Sequence, residues 1–436
     1  MANKTLLRSL FQQAIRAVEP AALVQKNLIL EGSTLRIGND TYELDPYDEV
    51  RLFGSGKAAV PMARAAMGIL GSHIQGGVII APEPTDIPGI SVLQGDHPIP
   101  TQRSLEAAST FKSALEAMPE KSLFIYLLSG GSSALMELPA PGLTLEDINQ
   151  TGRVMLEHAL PIDAINCIRK HISAIKGGRL GESTQADGIV LVLSDVIGDD
   201  LEVIGSAPLF CDRTTFAQAL EYVERYGMAS KLPPSVMTHL RQGADGRLPE
   251  TPKTPNRRIG HHIIGSNRIA LESAASRVDD PGLTVEIVTD RLNGEASEVA
   301  ARLIREAKAI QSKGANLPRL LIYGGETTVT LRGKGRGGRN QELALAALAA
   351  LGEHPGITLL SGGSDGIDGT SDAAGGVIDA GSFRKAQTEG IDLEAFLADN
   401  DSYHALEKLD DLIVTGYTGT NVMDIIMVLI EPTTQE

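Results

Sequence analysis

The chain of 436 residues contains no tryptophan, and aromatic residues make up only 4% of it. That leaves little material for the stacking surfaces on which proteins hold single-stranded nucleic acid. Cysteine is nearly absent: Cys167 and Cys211 stand far apart and in no C-x-x-C, which argues against a disulfide framework or a zinc cluster and fits a reducing, cytoplasmic location. Basic residues are outnumbered, 39 against 55 acidic ones, for a formal net charge of −16. Duplex nucleic acid and anionic membrane surfaces would be repelled by such a field, so neither is an expected partner. Long apolar runs are missing as well, none approaching the ~18 residues of a membrane span. The opening stretch MANKTLLRSLFQQAIRAV has Leu6, Leu7, Leu10, Phe11, Ala14 and Val18 at helical spacing. It lacks the unbroken apolar centre of a signal peptide and is expected to be a helix docked on the fold.

Glycine is plentiful, at 46 residues, and its placement is informative. Short apolar runs such as VRLFGSG, SLFIYLLSGG, GIVLVLSD, RLLIYGGE and ITLLSGG each pass into a glycine-rich turn and then toward a helical pattern. Strands alternating with helices predict an α/β fold with a largely parallel sheet, in which the loops after the strand C-ends gather into the site. At ~150 residues per domain the length allows two or three domains, and two is the expectation taken here. The Pro-rich polar stretch Arg241–Arg258 is the best linker candidate, giving an N-terminal domain over 1–245 and a C-terminal domain over 246–436. Thr144-Leu-Glu-Asp147 has capping-box spacing and opens one helix, and DAINCIRKHISAI forms another that stops at Gly177-Gly178. Both read as scaffold.

Five loops carry the chemistry. FGSGKAA is not a Walker A loop, because Arg51 and Ala58 fill places where that motif needs a glycine and a hydroxyl. Gly54, Gly56 and Ala59 do satisfy G-x-G-x-x-A, with Glu83 closing the next strand, so a dinucleotide fold stays open. Lys57, at the first turn of the helix, suits a transferring phosphoryl group or a carboxylate. LLSGGSSAL places Ser129, Gly130, Gly131, Ser132 and Ser133 at a strand-to-helix turn, where consecutive glycines form an anion nest and hydroxyls add hydrogen bonds. LSDVIGDD puts Asp195 just past an apolar strand, positioned to accept a proton from a substrate hydroxyl, with Asp199 and Asp200 read as turn residues. In GKGRGGRNQELALAAL, Gly333–Leu348, Lys334, Arg336 and Arg339 sit among glycines at the start of an alanine-rich helix, an address for an anion. The loop SGGSDGIDGTSDAAGG misses the EF-hand spacing, yet its carboxylates could hold Mg²⁺ together with phosphate oxygens. Such an inventory suits phosphoryl transfer, where catalysis is mostly positioning and charge neutralisation.

The segments FGSGKAA, GDHPIPTQRS, LLSGGSSALMELPAPGLTLEDI, INCIRKHISAIKGGRL, LSDVIGDD, YGGETTVTLRGKGRGGRNQELAL, SGGSDGIDGTSDAAGG and TGTNVMD run in this order from Phe53 to Asp424. Together they resemble glycerate 2-kinases of the MOFRL type, a family also labelled hydroxypyruvate reductase. The resemblance implies a Rossmann-like N-terminal domain, a smaller C-terminal α/β domain and a site in the cleft between them. It further implies an ATP- and Mg²⁺-dependent kinase that turns D-glycerate into 2-phosphoglycerate. Lys57 and Arg339 fall on the family's site lysine and arginine, while Asp195, Glu326, Asp365 and Asn421 match acidic or amide positions. Gly54, Ser55, Gly56, the run Ser129–Ser133, Glu326, Asn340 and Asn421 would contact substrate or phosphate, and Asp365 would hold Mg²⁺. On this expectation Asp195 orients or deprotonates the glycerate hydroxyl, Lys57 and Arg339 offset charge on the γ-phosphoryl group, and the partners are D-glycerate and a nucleotide, homo-oligomerisation being left open. Two rivals stand beside it: an NAD(P)H-dependent hydroxypyruvate reductase, and a cytosolic organic-acid binding protein without chemistry.

Overall fold

The computed structural model describes residues 2–314 and 317–432. The chain forms two compact units, an N-terminal one of residues 20–194 and 199–264 and a C-terminal one of residues 1–19, 195–198 and 265–436. The change of unit at 264/265 comes after the expected boundary at 245/246, which lies inside the N-terminal unit. The Pro-rich stretch expected as a linker is mostly exposed but is tied down in its middle: Thr251 is 1% exposed and donates to Asp212 at 3.0 Å, and the Asp212 N–H donates to the Pro252 carbonyl at 2.8 Å. Its low apolar content misled because it is held by hydrogen bonds to Asp212 and not by apolar burial. No helix among the described residues is long and apolar enough to cross a membrane.

The N-terminal unit opens with a small antiparallel ribbon, β1 (Leu28–Glu31), β2 (Thr34–Ile37) and β3 (Asp40–Glu43). Its main sheet contains β4 (Glu49–Ser55), β5 (Gly77–Ala81), β6 (Ser91–Gln94), β7 (Ser122–Leu128), β8 (Asp187–Leu193) and β9 (Ile259–Gly265), in the spatial order β6-β5-β4-β7-β8-β9. Strands β4 to β8 pair in parallel. Every residue of β7 is buried, as a parallel strand covered on both faces requires, which is why it reads as a continuous apolar run. Counted along the chain this is the order 3-2-1-4-5-6 of a Rossmann-type sheet, in which the strand order reverses between β4 and β7. Helices Leu145–Glu157, Ile162–His171, Phe216–Arg225 and Pro234–Ala244 build a separate apolar cluster around Ile168, Phe216 and Leu240. The first of these has the expected capping box, with the Thr144 hydroxyl accepting from the Asp147 N–H at 3.1 Å.

The C-terminal unit is built on a mixed sheet of β10 (Thr284–Glu295), β11 (Arg319–Thr328), β12 (Ile357–Gly363), β13 (Gly375–Asp379), β14 (Leu412–Ile413) and β15 (Asp424–Ile430). Its order is β10-β11-β15-β12-β13-β14; only β10 and β11 pair in parallel, and the last strand of the chain runs antiparallel between β11 and β12. Helix Arg339–Leu351 is buried from Asn340 through Leu348. Its alanines leave room for helix Ala296–Ser312 on one side and β12 and β13 on the other. The N-terminal helix, Ala2–Ala17, docks on this distant unit: Leu7, Leu10, Phe11 and Ala14 are buried, Arg8 donates to the Leu412 carbonyl at 2.9 Å, and Lys4 reaches Asp411 at 2.5 Å.

Candidate functional site

In the N-terminal unit the loops after β4 and β7 meet where the strand order reverses, the usual position of a ligand crevice in such sheets. Gly56 makes the meeting possible. Its φ is +127°, and a Cβ there would lie 2.2 Å from Ser129 Oγ and 2.4 Å from the Ser129 carbonyl, so no other residue fits. The contact also occupies the backbone of the turn. The N–H of Gly56 donates to the Ile80 carbonyl at 3.2 Å, that of Lys57 to Gly130 at 2.9 Å, that of Ala58 to Ser129 Oγ at 3.0 Å and that of Ala59 to Gly56 at 3.2 Å. The spacing G-x-G-x-x-A is therefore present without the free N–H groups that would take a pyrophosphate, and the dinucleotide mode has no support here.

Several expected ligand contacts prove to be interior. Ser55 is 0% exposed and Ser129 and Ser132 are 1% exposed; Ser55 Oγ meets Tyr126 Oη at 2.5 Å and also bonds Ser132 Oγ. Gly54 packs against Ile79 and Leu127. These residues tie the two loops together from inside. What faces outward is the exposed Lys57, with Gly130, Gly131 and Ser133 half-buried beside it. A Cβ on Gly131 would lie 3.2 Å from Lys57 Cγ and 3.3 Å from His97 Cδ2, so the lysine and the histidine flank that glycine. Burial, and then the Lys57 charge, hold His97 below the ordinary histidine range, leaving it neutral near pH 7. His97 was given no role from sequence, although a histidine in GDHP just past a strand was a visible signal.

In the C-terminal unit one sheet edge gathers the end of β11, the end of β12 and the start of β15. Arg339, the first residue of its helix, forks onto Asp424 with Nε–Oδ2 2.7 Å and Nη2–Oδ1 2.9 Å, and reaches Glu326 from Nη1 at 2.6 Å. Asp424, 0% exposed, also accepts from Asn340 Nδ2 at 2.8 Å, and Asn340 Oδ1 accepts from Ser361 at 2.7 Å. Asn340 is thus a buried support for Asp424 and offers nothing to a ligand. Asp424 escaped the sequence reading, though an acid opening the apolar strand DIIMVLI was the signal. Asp365 and Asp424 flank Gly363, their Oδ1 atoms 3.2 and 3.7 Å from its would-be Cβ. Asn421, half-buried, accepts from the Met423 N–H at 3.0 Å. Glu326 is pushed up by burial and by the negative charges of Asp424 and Asp195, against the pull of Arg339.

The basic glycine loop finds its anions within the chain. The N–H groups of Asn340 and Gln341, at the helix N-terminus, donate to the Asp368 carboxylate at 3.1 and 2.8 Å, and a Cβ on Gly338 would lie 2.4 Å from Asp368 Oδ1. Asn400 Oδ1 accepts from Arg332 and Gly333, Asp399 Oδ1 from Lys334, and Asp401 Oδ1 from Arg336. The Arg336 guanidinium pairs with Asp372 at 2.9 Å and lies 3.9 Å over the Tyr403 ring. The expected external anion at this helix start is therefore replaced by Asp368, whose carboxyl neutralises the helix dipole. No group of three or more His, Cys, Asp or Glu side chains among the described residues could hold a metal by itself. Asp365 suits only the mode Mg²⁺ commonly uses, one carboxylate completed by phosphate oxygens and water.

Acids around this helix start make stability depend on pH. Burial pushes Asp368 up to about 6, and burial with the Glu295 charge pushes Glu342 up to about 7. A carboxyl raised above its unfolded value holds its proton longer in the folded state, so stability falls as pH climbs through that interval. Glu342→Gln is expected to stabilise the protein at pH 8 by at most about 3 kcal/mol. The gain should vanish below about pH 4.5, where the side chain is protonated in both states; a gain independent of pH in thermal melts would refute it.

Comparison with known proteins settles the family. Residues 319–424 match the model of the MOFRL family, and residues 6–241 match that of a domain of unknown function, DUF4147. The glycerate 2-kinase of Pyrococcus horikoshii is 36% identical over 96% of this chain and 95% of its own length. The chain belongs to the MOFRL-type glycerate 2-kinases. The D-glycerate 2-kinase of Thermotoga maritima is 39% identical over 88% of this chain and 91% of its own. The crystal structure of the Thermotoga maritima glycerate kinase superposes with a TM-score of 0.86 at 36% identity, covering 98% of this chain and 99% of that one. In this chain the N-terminal unit has a Rossmann-type strand order, and the turn after β4 is filled by Ser129 and Gly130.

Proposed function

We propose that this protein is a cytoplasmic glycerate 2-kinase that transfers the γ-phosphoryl group of ATP to D-glycerate, giving 2-phosphoglycerate and ADP. The observation that carries the reading is the exposed Lys57 at the reversal of a Rossmann-type sheet whose turn is closed to a dinucleotide, in a chain 36% identical to a glycerate 2-kinase. In the reaction the glycerate 2-oxygen bonds to the γ-phosphorus, the bond from that phosphorus to the bridging oxygen breaks, and ADP leaves with the electron pair. Asp195 orients the hydroxyl and takes its proton. Lys57 offsets charge on the transferring group. Three of the five donors of Arg339 are held by Asp424 and Glu326; the other two would act on the same charge from a fixed position. Asp365, with phosphate oxygens, would hold Mg²⁺, an ion that neutralises phosphate charge when bound.

The test is ³¹P NMR of the protein with D-glycerate, ATP and Mg²⁺, beside an NADH trace with hydroxypyruvate. A phosphomonoester resonance at the 2-phosphoglycerate position with flat NADH absorbance is expected, and Asp195→Asn should abolish its growth. A 3-phosphoglycerate signal would overturn the product, and falling NADH without phosphoester would overturn the kinase.

A further inference from the structure

Beneath the Ser129–Ser133 loop, the N-terminal unit holds two basic side chains against one acid. Glu137, 2% exposed, accepts three bonds: Oε1 accepts from Ser173 Oγ at 2.8 Å and from the Leu138 N–H at 3.0 Å, and Oε2 accepts from Lys176 Nζ. Lys176, also 2% exposed, donates in addition to the Ser133 carbonyl at 2.8 Å, which fixes the cluster directly under the loop. The third member is Arg169, half-buried on helix Ile162–His171. Burial pushes its guanidinium down, the Glu137 carboxylate pulls it up, and it repels Lys176. Among the described residues the Arg169 guanidinium makes no hydrogen bond, and no carboxylate approaches it within 4.0 Å. Lys170, its neighbour on the same helix, shows the contrast, held by Asp212 at 2.7 Å.

A second line of polar groups leads from the loop to the same helix. Ser133 Oγ meets Ser206 Oγ at 2.9 Å, and Ser206 donates to Asn166 Oδ1 at 3.1 Å. Asn166 stands three residues before Arg169, on the same face of the helix. Ser206 is held there by strain: Gly205, Ser206 and Ala207 have φ of +59°, +59° and +54°, three successive residues in the left-handed region. Strain of that kind persists where a site over-determines it.

Two cations beside one carboxylate leave about one positive charge in a partly desolvated place, where charges normally come paired. We propose that Arg169 binds the carboxylate of the hydroxy-acid substrate, an inference that rests on the glycerate reading above. The planar guanidinium fork matches a carboxylate bidentately. A phosphate, also an oxyanion, is the competing ligand, and titration with ADP separates it from the carboxylate.

The experiment is calorimetric titration of the full-length protein with D-glycerate and, separately, with ADP. Arg169→Gln is expected to weaken D-glycerate binding about 10- to 100-fold, to leave ADP affinity unchanged, and to leave the Tm of the free protein unchanged or raised, since a charge without an ion-pair partner is removed. Arg169→Lys, which keeps the charge and loses the fork, should fall between. Parental D-glycerate affinity in Arg169→Gln would overturn the inference, as would a loss confined to ADP, which would assign the residue to phosphate. A sharp fall in Tm or failure to fold would overturn it too, marking Arg169 as scaffold. If the parent protein forms no phosphoester, the glycerate reading itself fails; if it does, and Arg169→Gln keeps its affinity, only this inference fails.

Discussion

Lys57→Ala is expected to lower kcat by about 10²- to 10³-fold, the loss typical of removing one preorganised charge contact from a transition state, while leaving the unfolding temperature unchanged. The second half of that expectation comes from where the residue sits. Its backbone N–H bonds the Gly130 carbonyl at 2.9 Å and survives the substitution, whereas the exposed ammonium makes no hydrogen bond or ion pair among the described residues. Exposed substitutions away from such features usually change stability by no more than about 0.5 kcal/mol. His97 should respond as well, because the Lys57 charge contributes to holding it down. Its pKa, followed by NMR, should rise in the variant. Parental kcat with D-glycerate and ATP would remove Lys57 from the reaction, and a large fall in Tm would mean the loop depends on it.

The strand–turn–helix alternation was legible in the sequence because apolar periodicity and glycine turns are local signals. Lys57 and Arg339 were legible for the same reason: each stands at the junction of a strand-like run or glycine loop with a helix. What could not be read is which distant groups answer them. That the basic loop before Arg339 is satisfied by Asp368, Asp399, Asn400 and Asp401 depends on contacts 28 to 68 residues away. No pattern within one segment reports such pairings. The same limit explains the N-terminal helix, whose apolar stripe announces that it docks and is silent on where. It explains Ser55, Ser129 and Ser132 too, since a hydroxyl in a glycine turn looks alike whether it faces a ligand or ties two loops from within.

Arg339→Ala should act in the opposite manner to Lys57→Ala, costing stability and turnover together. Asp424 is 0% exposed and takes two of its bonds from this guanidinium. Truncating the arginine leaves a buried carboxylate with Asn340 as its remaining donor, and breaking a buried pair from one side typically costs about 3–5 kcal/mol. The partial exposure of Arg339, 32% of its side chain, argues for the lower end. Thermal melts followed by circular dichroism should show the loss. The double variant Arg339→Ala with Asp424→Asn then separates the two roles. Removing the orphaned charge should restore part of the lost Tm, as coupled neighbours do, because an asparagine can still accept from Asn340. Turnover should stay low, since the positive charge proposed to act on the phosphoryl group is still missing. Recovery of kcat along with Tm would mean that Arg339 serves the reaction only by keeping Asp424 neutralised, and its two remaining donors would have no part in phosphoryl transfer.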